Sequence, residues 1–198
     1  MSKRKSKRND PFKLPIQTGH NFMSIENVML VFRVTWGEKS HEYQDLRKMI
    51  VKIEQDLHDL MWEEWDWNEK RKINDIIFTA IGDGYSIGFH PKTDNGEILR
   101  VATEIVGRIG NNGFKVRAGL TKGLNVRHVD KNELMSVFGP GVTLAFKVCD
   151  IAAENEILIC DDYAKLLEVN HESVGLELIE KCVELSPNKT IALHRLPL

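Results

Sequence analysis

The stretch from Phe78 to Phe89 constrains the fold more than any other part of this chain. Phe78-Thr79-Ala80-Ile81 and Tyr85-Ser86-Ile87-Gly88-Phe89 are two short apolar runs, and only Gly82-Asp83-Gly84 separates them. Apolar runs joined by a Gly-bearing turn form a β-hairpin. Asp83 at the tip has two readings. It is a turn residue, or a carboxylate held out toward a metal or phosphate. The turn alone favours the first, because Asp-Gly is common hairpin chemistry.

The flanking segments supply a sheet and helices around this hairpin. Asn27 to Trp36 is a continuous β-branched and aromatic run that reads as a buried strand ending at Gly37. Arg33 interrupts it near the C-terminal end and must pair or reach solvent, since an unpaired buried charge is costly. From Glu42 to about Met61 the apolar residues fall at three- and four-residue spacing, the pattern of an amphipathic helix. The acid-interleaved cluster Trp62, Trp65 and Trp67 follows, and reads as a helix end packing over the core rim or as a partner-binding patch. Ile98, Val101, Ala102, Ile105, Val106 and Ile109 mark a second helix, closed by Gly110 and the Asn-rich turn to Gly113.

Phe114 to Leu120 reads as a strand broken at Gly123, and Phe138 to Gly141 as a turn. A helix with a small-residue face runs through Val142, Ala145, Phe146, Cys149 and Ala152. Glu156 to Cys160 is a short buried strand, and Asp161 or Asp162 caps a helix over Tyr163–Val169. Leu176–Ile179 and Thr190–Leu196 close the chain as two antiparallel strands. The order is strand, helix, hairpin, helix, strand, helix, strand, helix, hairpin. This predicts an α+β sandwich of ferredoxin-like palm type, with a mostly antiparallel sheet.

Composition narrows the function. The chain has 198 residues and a net charge of -2, which argues against a general nucleic-acid binder. No apolar run is long enough to span a bilayer, and the N-terminus has charge but no apolar signal region. Cys149, Cys160 and Cys182 lack close-paired metal spacing and read as buried small hydrophobes in a reduced, cytoplasmic protein. The expected division is a basic, disordered tail over residues 1–22 and one domain over residues 23–198.

Three segments in this order resemble the catalytic domain of class III adenylate and guanylate cyclases, over about Val28 to Leu196. Ala80 to Gly84 resembles the hairpin that presents a metal-binding aspartate. Val116 to Gly123 resembles the family's "VRIGIHTGE" strand. Phe138 to Val148 resembles "FGPTVNLAARL", with Ile157 to Cys160 standing where the family has "ILVS". The resemblance implies a dimer with its site between subunits. It also implies two divalent cations, Mg or Mn, held by two aspartates, which lower the pKa of the ribose 3′-hydroxyl and clamp the triphosphate.

Carried onto this chain, the hairpin aspartate is Asp83, the metal position. The first-strand aspartate falls near Arg33 or Val34, neither of which binds a metal; Arg33 is placed instead to pair with Asp83 or to bind a phosphate. The purine-reading lysine falls at Thr79 and its aspartate partner at Ser136. The ribose-orienting asparagine falls at Thr143. The transition-state arginine falls at Lys147, which keeps the charge and loses the bidentate fork. Two readings follow. One is a degenerate cyclase-homology domain in cyclic-nucleotide signalling. It would need no cofactor, and would pair with itself or with another cyclase-like chain, or bind a nucleoside triphosphate without converting it. The other is an active, atypical cyclase using Mg or Mn, with a pyrimidine nucleotide as substrate, as in relatives of bacterial antiphage defence. Residue by residue the bland alternatives stand beside these: Lys147 as a solvated charge, and Thr143 as a helix hydroxyl bonding the preceding turn.

Overall fold

The computed structural model describes residues 21–35, 48, 51–52, 55, 76–111, 113–129, 135–169, 175–186 and 189–198. The elements in chain order are β1 (Asn21–Thr35), β2 (Ile76–Ile81), β3 (Gly84–Phe89), α1 (Asn95–Asn111), β4 (Lys115–Val129), β5 (Met135–Phe138), α2 (Pro140–Ile151), β6 (Glu156–Cys160), α3 (Asp161–Val169), β7 (Glu177–Ser186) and β8 (Lys189–Leu196). The helix expected over residues 42–61 lies mostly outside the described residues; Lys48, Val51, Lys52 and Gln55 are helical. The tryptophan cluster and residues 1–20 lie outside them altogether.

The strands form one sheet in the order β2-β3-β1-β4-β6-β8-β7, with β5 paired to the outer end of β4. Every neighbouring pair is antiparallel except β4 and β6, whose crossover is α2. The expected α+β architecture with a mostly antiparallel sheet is therefore observed. At its centre β1 and β4 pair without interruption from Asn21↔Val129 to Thr35↔Lys115.

From Asn27 to Phe32 both faces of β1 are covered, which is why the run from Val28 is continuously apolar. Leu30 and Phe32 face the main core with Ala118, Leu120, α1 and α3. Met29 and Val31 face the other way and pack against Ala145 and Cys149 of α2. Gly119, opposite Val31, lets α2 lie directly on the sheet, because a Cβ there would collide with the backbone of Ala145 and Cys149.

A buried amide pair sets where α2 begins. Asn125 Nδ2 donates to Asn27 Oδ1 at 2.8 Å, and Asn125 Oδ1 accepts from the Val142 N–H at 3.0 Å in the first turn of α2. Asn27 Nδ2 in turn donates to the Phe89 carbonyl at 3.1 Å. These bonds tie β3, β1, β4 and the start of α2 into one register, and they satisfy side chains that burial would otherwise penalise.

Four expectations are corrected. The fourth strand does not break at Gly123 but continues to Val129. Gly123 is the point where α2 approaches, since a Cβ there would press on Gly141. Phe138 ends a strand, β5, rather than opening a turn, because the second half of β4 offers it a partner edge. The third helix starts at Asp161, so the two aspartates form its first turn instead of preceding it. Cys149 and Cys160 are buried, but Cys182 is exposed. It lies on the edge strand β7, where Val183 takes the inward position.

The C-terminal hairpin is locked by one buried carboxylate. Glu156 is 7% exposed, and it accepts from the Ala153 N–H and from Arg195 Nε, each at 2.6 Å. Burial alone would raise its pKa. The Ala153 and Arg195 hydrogen bonds, with Lys181 nearby, outweigh that and hold it below the ordinary value of 4.5. A carboxylate with a depressed folded pKa contributes stability above its unfolded pKa and loses it as pH falls through the folded value. Glu156→Gln should therefore cost about 1–3 kcal/mol at pH 7. In urea titrations stepped downward from pH 7, the gap between wild type and variant should close below about pH 4.5. A gap that stays constant with pH would show that this charge does not matter.

Candidate functional site

The hairpin turn brings Asp83 to β1. Gly82 has φ 52°, a left-handed conformation that suits glycine, and it swings the tip so that the Asp83 carbonyl accepts from the Val34 N–H at 2.8 Å. Gly84 sits opposite Arg33, so close to β1 that a Cβ would collide with the Phe32 carbonyl. The two glycines are what allow an aspartate to be held against this strand.

Arg33 leaves the sheet on the face that α2 covers, in line with Met29 and Val31. Its Nε donates to both Asp83 oxygens, at 2.9 and 3.0 Å, and its Nη1 donates to Asp150 Oδ1 at 2.6 Å. One guanidinium thus spans two carboxylates, one from the β2–β3 turn and one from the last turn of α2. The hydrogen bonds, first that to Asp83 and then that to Asp150, hold Arg33 further above its usual range. Asp150 was not singled out by sequence reasoning. The signal that a partner existed was Arg33 itself, a charge inside an apolar strand.

The metal chemistry of the sequence resemblance does not fit this arrangement. Both oxygens of Asp83 point at a cation that the chain itself supplies, and a dication beside that guanidinium meets like-charge repulsion. Among the described residues no group of three or more His, Cys, Asp or Glu side chains could hold a metal ion.

The other expected positions do not converge on Asp83. Thr79 is exposed on β2, opposite Ser86. Ser136 on β5 has its Oγ 3.4 Å from His128 Nδ1. Thr143 donates its hydroxyl to the Gly139 carbonyl at 3.2 Å, the local helix bond that was the bland alternative for it. Lys147 donates to the Glu184 carbonyl on β7 at 3.0 Å, so its ammonium is directed toward β7. Cys149 beneath the site is fully buried, and that burial pushes its thiol up to about 12.

One further cation lies beside the pair. Arg117 is directly across from Arg33 on β4, and its Nε is buried without a hydrogen-bond partner among the described residues. It lines a cleft of about 520 Å3 with Thr35, Ala152, Ala153 and Glu154. A buried donor lacking an acceptor is costly, and an anionic ligand would satisfy it.

No family model matches the sequence, and no characterised protein matches it at the sequence level. Solved structures do match the fold. The guanylate cyclase domain of RhGC from Catenaria anguillulae, in complex with GTP, superposes with a TM-score of 0.69 at 16% identity, covering 88% of this chain and 98% of that one. A dimeric guanylyl cyclase domain of the RhoGC fusion protein from Blastocladiella emersonii gives 0.64 at 15% identity, covering 88% and 97%. The adenylyl cyclase CyaB from P. aeruginosa gives 0.62 at 10%, covering 88% and 96%. The chain therefore has the fold of adenylate and guanylate cyclase catalytic domains over most of its length.

The Arg33 bracket makes a quantitative prediction. All three side chains are about a third or more exposed, so solvent weakens each bond. Arg33→Met should lower stability by about 1–2 kcal/mol in urea unfolding, and a double-mutant cycle of Arg33→Met with Asp150→Asn should give a coupling of about 0.5–1 kcal/mol. Additive single mutants would show that Asp150 is not a working partner.

Proposed function

We propose that this chain is a catalytically degenerate cyclase-homology domain, which keeps the nucleotide-facing surface of the fold without converting a nucleotide. The observation that carries this reading is the Arg33 guanidinium on Asp83. In the cyclase mechanism the hairpin carboxylate must be free to share two dications. Here it is neutralised by a residue of the neighbouring strand, and the first-strand carboxylate that should help it is absent.

What remains suits binding rather than turnover. Arg117 offers a buried donor to a phosphate oxygen, and Thr79 and Ser136 are neutral hydrogen-bonding groups at the positions expected to read a base. A nucleoside triphosphate is the ligand class this arrangement favours, and a second copy or another cyclase-like chain is the partner class. The dimeric neighbour from Blastocladiella emersonii and the GTP complex from Catenaria anguillulae support both parts by analogy of fold.

Turnover is the direct test. Incubating the purified chain with ATP, GTP, CTP and UTP in turn, each with Mn²⁺, should yield neither pyrophosphate nor a cyclic product by mass spectrometry. Binding of a fluorescent triphosphate analogue should weaken about tenfold in Arg117→Ala, the loss expected for one charge-assisted hydrogen bond. A cyclic product that disappears in Asp83→Ala would overturn the proposal in favour of an active, atypical cyclase.

A further inference from the structure

Three cations share one face of the sheet at the C-terminal end of β1. Arg33 pairs with Arg117 and Thr35 with Lys115, so Arg33, Arg117 and Lys115 leave the sheet on the side that α2 covers. The carboxylates near them come from other elements. Arg33 takes Asp83 and Asp150. Lys115 takes Glu154, with Nζ 2.6 Å from Oε2. Arg117 keeps a buried Nε that has no hydrogen-bond partner among the described residues. Glu154 lines the same cleft as Arg117, and it is the acidic member of the described lining. It is therefore placed to compete with an anionic ligand for that guanidinium.

The loop that carries Glu154, between α2 and β6, is pinned through its backbone. Lys181 Nζ donates to the Ile151 carbonyl at 3.2 Å, and the Ala152 N–H donates to the Val148 carbonyl at 3.2 Å. The Ala153 N–H donates to Glu156 Oε2 at 2.6 Å. Asn155 has φ 57°, a left-handed conformation that asparagine tolerates. Its N–H donates to the Val116 carbonyl at 2.5 Å, and its Oδ1 accepts from the Val116 N–H at 3.2 Å. Val116 is the residue between Lys115 and Arg117. Asn155 thus fixes the Glu154 backbone beside both cations, and the direction of the carboxylate is set by the side-chain bond to Lys115.

We propose that Lys115 and Asn155 are positioning residues that keep Arg117 open to its ligand by holding the Glu154 carboxylate away from it. The inference rests on the reading of Arg117 as a phosphate donor, and adds what keeps that donor available. A buried donor without an acceptor gains from any carboxylate that reaches it. Glu154 is the carboxylate at hand, on a long side chain in the same cleft. Once paired with Arg117 it would have to be displaced before a phosphate oxygen could enter.

The size of the effect follows from exposure. Lys115 and Glu154 are each about half exposed, so solvent weakens their bond and the preference it imposes is a few-fold one. The same exposure makes both side chains replaceable without disturbing the core.

The test titrates the full chain with N-methylanthraniloyl-GTP, a fluorescent triphosphate, at low salt, where screening is least. Lys115→Met should weaken binding about threefold, the scale of one half-exposed ion pair. Glu154→Gln alone should change it by less than about 1.5-fold, and the double variant should bind like wild type. Asn155→Gly keeps the left-handed backbone and loses the side-chain bond to Val116. It should weaken binding about twofold in the wild-type background and leave Glu154→Gln unaffected. Equal and opposite effects of Lys115→Met and Glu154→Gln would reveal net charge alone and overturn the proposal. So would a loss in Asn155→Gly that persists in Glu154→Gln, the mark of a merely loosened loop. Undiminished binding in Lys115→Met, with Arg117→Ala weakened, would overturn this inference alone. Undiminished binding in Arg117→Ala would overturn the reading of Arg117 as a phosphate donor, and this inference with it.

Discussion

From Asn27 to Phe32 β1 is buried on both faces, and that constraint organises the molecule. A strand with α1 and α3 on one side and α2 on the other has no room for an uncompensated charge. Arg33, two residues from its end, reaches partly into solvent, and two elements deliver carboxylates to it. The β2–β3 turn supplies Asp83 and the last turn of α2 supplies Asp150. The same bonds fasten the hairpin tip and the helix end to the central strand. Placement of the site and packing of the sheet are one problem here, solved by one guanidinium.

The functional consequence follows from charge. A hairpin aspartate is useful to a nucleotide-transforming site only while its negative charge is available to a metal. In this chain that charge faces a fixed cation, and the neighbouring Arg117 adds a buried donor. The fold is retained over nearly its full extent. Two of the side chains expected at the site bond other parts of this chain. Lys147 holds α2 to β7, and Thr143 closes the first turn of α2.

The order of elements was legible in the sequence because it rests on periodicity, which local residues determine. The apolar spacing from Ile98 to Ile109 and the runs at Asn27–Trp36 and Glu156–Cys160 correspond to α1, β1 and β6. Misreadings arose where tertiary contact overrides local preference. Gly123 reads as a break but is a point of helix–strand contact. Phe138 reads as turn because its partner, Val126, is supplied by the far end of β4. Within the site, the pairing of Arg33 with Asp83 was open to inference from an apolar strand that contained an arginine. Asp150 was not, because its approach depends on how α2 lies across the sheet, which Gly119 and the Asn27–Asn125 pair decide.

The central claim is that Asp83 serves Arg33 and not a metal. Electron paramagnetic resonance of free Mn²⁺, titrated with the wild-type chain and with Asp83→Asn, tests it without reference to any substrate. The account predicts that the two proteins deplete the free-ion signal to the same small extent, because the carboxylate is already occupied by a guanidinium. A wild-type protein that sequesters Mn²⁺ and loses that capacity in Asp83→Asn would contradict it.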